Sequence, residues 1–181
     1  MRIISGIHKG RRLIAPKKLP VRPTTDRAKE SLFNILRNSY NFSQLEVLDL
    51  FTGTGNISYE FVSRGSSQVT AVDKNRHCVD YVKKTAETLE MPIKIIKADV
   101  YSFLNSIQQT YDIIYADPPY NFAPELFEKI VKVVFERSLL KDKGNLILEH
   151  SKNTDLSTTS HFVEQRNYGS SSFSFFSQPE A

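Results

Sequence analysis

From Leu45 onward, apolar residues fall into two alternating rhythms. Short apolar runs predict strands at Val47-Leu48-Asp49-Leu50-Phe51, Val69-Thr70-Ala71-Val72, Ile93 to Ala98, Tyr111 to Ala116 and Asn145-Leu146-Ile147-Leu148-Glu149. Between them the period lengthens to that of a helix. Helices are predicted near 56–64, closed by Gly65 as C-cap, at about 75–90, stopping before Pro92, at about 101–108, and near 124–137. The last carries Leu126, Ile130, Val133 and Val134 on its inner face. Residues 162–168 and 172–177 predict a closing hairpin around Gly169, where Phe173 and Phe175 alternate with serines. Strands that alternate with helices make a parallel sheet covered on both faces, so the fold class is α/β, with an antiparallel hairpin at the end.

The first residues follow a different pattern. A strand near 2–5, a turn from Gly6 to Gly10 and a strand near 11–15 predict a small β-hairpin. A helix then starts at Thr24 or Thr25, either of which can cap it, and runs to about Leu36 with Ala28, Leu32, Ile35 and Leu36 on one face. Asn38 to Ser43 is polar and turn-like. The expected organisation is a basic hairpin extension over 1–22 and one main domain over 23–181.

Charge sharpens this division. The net charge is only +4, yet residues 1–30 hold nine Lys/Arg against Asp26 and Glu30. A basic end on a near-neutral body suits a polyanion, and Lys9, Arg11, Arg12 and Arg22 are the candidate phosphate contacts. Arg22 and Thr24 have a second reading, as residues that order the pocket. Cys78 is the single cysteine, so no internal disulfide forms, and with four scattered histidines no metal site is expected. No run is long enough to span a membrane, and the apolar run at the start is too short for a signal peptide. The expectation is a cytoplasmic monomer.

Candidate chemistry gathers at the strand ends. Asp49, Asp73, Asp99 and Asp117 lie in or at the ends of successive strands, and such ends converge on a ligand crevice in a parallel sheet. Each alone reads more readily as a helix cap; four at successive strands are less easily dismissed. The loop Asp49-Leu50-Phe51-Thr52-Gly53-Thr54-Gly55 has two glycines that let the backbone approach a ligand, but Ser58 replaces the third glycine of the dinucleotide fingerprint. Asp49 would repel a pyrophosphate, which favours S-adenosylmethionine, a nucleoside bearing a sulfonium and an amino acid tail, over NAD. Asp73 would take ribose hydroxyls and Asp99 an adenine amine, with Lys74 and Val100 beside them.

Strand four ends in Asp117-Pro118-Pro119-Tyr120. Each proline fixes φ and removes a backbone donor, and the residue before it is pushed to extended conformation. The corner is expected to present a carboxylate, an unpaired carbonyl and an aromatic plate, a set suited to a planar group bearing an amine. An exposed turn with a surface tyrosine is the plainer reading of these four residues alone.

Asp-Leu-Phe-x-Gly-x-Gly followed by Asp-Pro-Pro-Tyr resembles Rossmann-like methyltransferases that act on exocyclic amines. Ser5-Gly6, Lys9-Gly10-Arg11 with Leu13, Arg22-Pro23-Thr24 with Arg27, Lys29-Glu30, Leu32-Phe33-Asn34, Ser63-Arg64-Gly65 and Tyr168-Gly169 together resemble the RsmD family of bacterial small-subunit ribosomal RNA guanine-N2 methyltransferases. The resemblance spans nearly the whole chain. It departs at Asn56-Ile57-Ser58-Tyr59-Glu60, where the family usually has smaller apolar residues, and in the Ser- and Phe-rich last strand. It implies a class I methyltransferase domain with a mostly parallel seven-stranded sheet. It also implies methyl transfer from S-adenosylmethionine to one guanine N2, on RNA in an assembling ribosomal particle. Asp117, Pro118, Pro119 and Tyr120 would then be catalytic. Alternatives that keep the same corner are an adenine-N6 or a glutamine-amide methyltransferase, and a non-catalytic RNA-binding assembly factor is a third.

Overall fold

The computed structural model describes residues 1–21, 24–119 and 121–179. Seven strands form one sheet in the order β3-β2-β1-β4-β5-β7-β6. The first five are parallel: β1 (Glu46–Leu50), β2 (Gln68–Asp73), β3 (Ile93–Lys97), β4 (Tyr111–Ala116) and β5 (Leu140–Ser151). The antiparallel pair β6 (Phe162–Tyr168) and β7 (Ser171–Phe176) closes one edge. The strand order reverses direction between β1 and β4, so their carboxyl ends open a crevice there.

The period of two along each strand sorts the core into two layers. Val47, Ile113, Tyr115, Ile147, Phe173 and Phe175 face a cluster with Leu32, Phe33, Phe61 and Val82. Those partners come from α1 (Asp26–Ser39), α2 (Asn56–Ser63) and α3 (Arg76–Thr88). Leu48, Leu50, Ile114, Leu146 and Leu148 face the other way, onto Leu104 of α4 (Val100–Ser106) and Phe127, Ile130, Val131 and Val134 of α5 (Pro124–Glu136). The expected inner face of α5 is therefore rotated. Leu126 is exposed and Val133 only partly buried, while Phe127 and Val131 take the core positions.

Two expectations need correction. β5 begins at Leu140, five residues before the expected start, although residues 141–143 are charged. Lys141 lies on the strand because its ammonium is held by Glu46 at 2.9 Å and Asp112 at 3.1 Å. The N-terminal hairpin reduces to one antiparallel bridge, Arg2 with Arg12. Around that bridge the two segments still pair, Ile3 N with the Arg11 carbonyl and Leu13 N with the Met1 carbonyl, both at 3.0 Å, while the donors between turn to α2: Ile4 N and Ser5 N donate to the Glu60 carboxylate, and Ile7 N to the Ser63 carbonyl. Gly6 is needed at that contact. It has φ +85°, and a Cβ there would stand 1.7 Å from the Ser63 carbonyl oxygen.

A buried ion-pair network fixes this arrangement. Lys29, fully buried on α1, donates to the Arg2 carbonyl at 2.6 Å and Asn56 Oδ1 at 2.7 Å, and lies 3.3 Å from Glu60. Arg64 binds the other Glu60 oxygen at 2.8 Å. Burial pushes the Lys29 ammonium down, and Glu60 opposes the shift. Asn56 passes the linkage on by donating to the Thr24 carbonyl at 3.1 Å. Among the described residues, no helix is long and apolar enough to cross a membrane.

Candidate active site

A cavity of about 630 Å³ opens at the carboxyl ends of β1, β2, β4 and β5. Its size lies in the range of small-molecule sites. Asp49, Gly53, Asp73 and Lys74 line one side, and Asp117, Pro118, Pro119 and Glu149 the other. The diproline corner thus faces the glycine loop across a shared space. Strand β4 ends there because Pro118 and Pro119 offer no N–H to a neighbour, and Asp117 N makes the last link, to the Leu50 carbonyl at 3.4 Å.

The loop after β1 turns at Phe51, whose φ is +57°, and at Gly53, whose φ is +55°. A Cβ on Gly53 would sit 3.2 Å from Val21 Cγ1, so a larger residue would crowd the segment that closes the cavity. Asp73 shapes the loop from β2. One oxygen accepts Gly53 N at 2.9 Å and the other Asn75 N at 2.8 Å, which leaves lone pairs for further donors. Asp49, on β1, accepts from Thr52 Oγ1 at 2.7 Å and Ser58 Oγ at 2.5 Å. Burial lifts its carboxyl to about 6 despite those two donors. Ser58, which takes the place of a fingerprint glycine, is therefore a hydroxyl donor to the site.

Asp117 is held well above the usual carboxylate range, first by burial, then by Glu149 and Asp49. Glu149 is 6% exposed and accepts from Thr24 Oγ1 at 2.6 Å and from the Tyr115 hydroxyl. Burial raises its carboxyl as well, and the two hydroxyl donors pull it back. His150 also lines the cavity; burial lowers its pKa, and its ring nitrogens engage the Ser151 carbonyl and Ser174 Oγ. Four carboxylates around one space, with Lys74 the sole Lys or Arg among its described lining residues, make the cavity receptive to a cationic ligand.

Several expected residues fall elsewhere. Asp99 caps α4 by accepting Ser102 N at 3.0 Å, and Val100 is buried in the core behind it; neither lines the cavity. A cap was the other reading of Asp99, and its Oδ1 fills that role at the start of α4. Gly55 stands outside the lining as the N-cap of α2, with φ +79° and the Tyr59 ring packed where a Cβ would go. Lys9, Arg11 and Arg12 are exposed on the N-terminal segment. Arg22 and Tyr120 lie outside the described residues. Glu149, Tyr115 and His150 are site residues that the sequence reading missed. The signal for Glu149 was present, since it ends the apolar run of strand five as Asp117 follows that of strand four. Among the described residues, no cluster of His, Cys, Asp and Glu could hold a metal ion.

The sheet order, with its antiparallel β7 beside β5 and its cavity over the β1–β4 reversal, is that of the class I methyltransferase fold. The family model described as conserved hypothetical protein 95 matches residues 1–177, and the chain belongs to that family, the RsmD family its motifs resemble. It is 31% identical over 168 residues to ribosomal RNA small subunit methyltransferase D of Haemophilus influenzae, covering 90% of this chain and 85% of that protein. It is also 31% identical over 164 residues to the putative rRNA methyltransferase YlbH of Bacillus subtilis, covering 88% and 87%. The solved structure of putative methyltransferase yhhF from Escherichia coli superposes with a TM-score of 0.84 at 27% identity, over 97% of this chain and 96% of that one.

Proposed function

We propose that this protein transfers a methyl group from S-adenosylmethionine to the exocyclic N2 amine of a guanine in small-subunit ribosomal RNA. The observation that carries the reading is the shared cavity: Asp117 and the diproline corner face the Gly53 loop and Asp73. The name of the Haemophilus influenzae relative gives small-subunit ribosomal RNA, and that of the Bacillus subtilis relative gives rRNA. The donor set suits the methyl donor, since Asp49, Asp117 and Glu149 surround a space with room for a cationic nucleoside.

In this reading, Asp49 and Asp73 with the Gly53 loop hold the donor, and Lys74 flanks them. The donor, when bound, supplies a methyl group on a positively charged sulfur. Asp117 and the Pro118 carbonyl accept the hydrogens of the incoming amine, whose lone pair is otherwise shared with the ring. Tyr120 stacks on the base, an interaction worth roughly 1–3 kcal/mol in single-strand binders. The base leaves its stack to enter the cavity. Positioning rather than strong base catalysis carries the rate. The substrate is RNA in an assembling small subunit, and the enzyme acts as a monomer in the cytoplasm.

Tritiated methyl transfer to unmodified small subunits and to naked RNA, followed by mapping of the labelled base, tests this reading. An N2-methylguanine in the RNA supports it; label in an adenine, in protein or nowhere refutes it.

The basic N-terminal segment is proposed to hold RNA phosphates through Lys9, Arg11 and Arg12. Replacing those three exposed side chains by glutamine is expected to weaken RNA binding. The slope of log K against log salt should fall by about 1 for each phosphate no longer neutralised. Filter binding across a salt series measures it. Deleting residues 1–20 is a poorer test, because it would also remove the buried Ile3 and the amides that hold Glu60.

A further inference from the structure

Glu149 has no role in the chemistry above, yet it occupies the acceptor side of the cavity. The parallel register of β4 and β5 pairs Tyr115 with Ile147 and Ala116 with Leu148. Continued by one residue past the end of β4, that register brings Asp117 level with Glu149, whose charge acts on it, and both residues line the same cavity. The Glu149 carboxylate cannot turn freely. Its Oε2 receives Thr24 Oγ1 and the Tyr115 hydroxyl, so Oε1 is left with neither donor. Ser171, on β7, lines the same cavity.

Two neighbouring carboxylates form a row of acceptors. The matching edge of a base is a row of donors. Guanine has one, since its N1–H stands next to the N2 amine. Adenine pairs its amine with a bare N1, which would put a lone pair against a carboxylate. Resting on the function proposed above, we infer that Glu149 reads the base: its Oε1 accepts guanine N1–H while Asp117 takes the adjacent amine. Glu149 is thus a specificity residue that touches the substrate and takes no part in the transfer.

The inference gives Glu149→Gln a directional consequence. A glutamine carbonyl can occupy the place of Oε2 and keep both hydroxyl donors. Its NH2 then stands where Oε1 stood and offers a donor to the base. The preference for a base with N1–H should fall, and that for a base with a bare N1 should rise.

The test uses the full chain and a small-subunit RNA in which the mapped guanine is replaced by 2-aminopurine, which keeps the N2 amine but lacks N1–H. The wild-type protein is expected to favour guanine by roughly 100-fold or more in kcat/KM, because a buried acceptor is left without its donor. Glu149→Gln is expected to bring the ratio to near unity or below. Equal rates on both bases with the wild-type protein overturn the inference and leave the guanine-N2 reading intact. A variant that slows both substrates alike also overturns it, and marks Glu149 as structural. Methylation of an adenine by the wild-type protein sinks both readings. The wild-type comparison stands even where the variant does not fold.

Discussion

Asp117→Asn is expected to lower kcat by roughly 10²- to 10⁴-fold while leaving the dissociation constant of the methyl donor within a few-fold of wild type. The substitution keeps the shape of the corner and its backbone link to Leu50. It replaces an anionic acceptor by an amide that also donates, which turns a hydrogen toward the amine it should hold. Single-turnover rates with calorimetric binding separate the two effects. A variant that keeps wild-type turnover would remove Asp117 from the chemistry. The same residue sets a pH dependence. Burial, Glu149 and Asp49 raise its carboxyl, so the reactive carboxylate is depleted on the acid side and turnover rises with pH. The acid limb of the wild-type profile is expected well above the ordinary range for aspartate. Tyr115, Asp49 and Glu149 are the titratable groups facing it, and removing the Glu149 charge should move the limb to lower pH. Stability runs the opposite way with pH. A raised folded pKa contributes stability below the unfolded value, and that contribution is lost as pH rises through the folded one.

Glu60→Ala is expected to destabilise the fold by about 3–5 kcal/mol, the range for a buried pair that loses one partner. The effect spreads beyond one pair. Lys29 becomes a buried cation with only Asn56 and the Arg2 carbonyl, and the amides of Ile4 and Ser5 lose their acceptor. The N-terminal segment should therefore detach as stability falls. Urea unfolding measures the first effect, and hydrogen exchange at Ile4 and Ser5 measures the second. A destabilisation below about 1 kcal/mol, with both amides still protected, would show that the Ile3 packing and the Ile7 N bond to Ser63 suffice. Because Asn56 and Thr24 continue the network to Glu149, the same variant should also weaken binding in the cavity.

The parts of the site that were legible in the sequence share a cause. Buried parallel strands leave unbroken apolar runs, and the polar residue at the end of each run marks where the strand leaves the core. Asp49, Asp73 and Asp117 could be read in this way, and so could the stiffness of the diproline corner. Asp99 shows the weakness of the same signal. A carboxylate before a helix can cap it with one oxygen and offer the other to a ligand, so its position at a strand end does not assign its role; here Oδ1 caps α4. Lys29 and Glu60 were illegible for a related reason. A charged residue in a helix reads as a solvent-facing position until a partner element covers it, and the covering segment here is the chain's own N-terminus.

The linear order of residues by itself determined the alternation of strands and helices, the parallel sheet and the stiff corner that follows β4, because each depends on local periodicity and on proline's backbone geometry. Tertiary structure alone decided that Glu149 stands beside Asp117, that Thr24 fixes Glu149, and that Lys29 is buried. Register between strands and the packing of distant segments arise from the whole core closing at once, and spacing along the chain does not encode the distance between side chains on different elements.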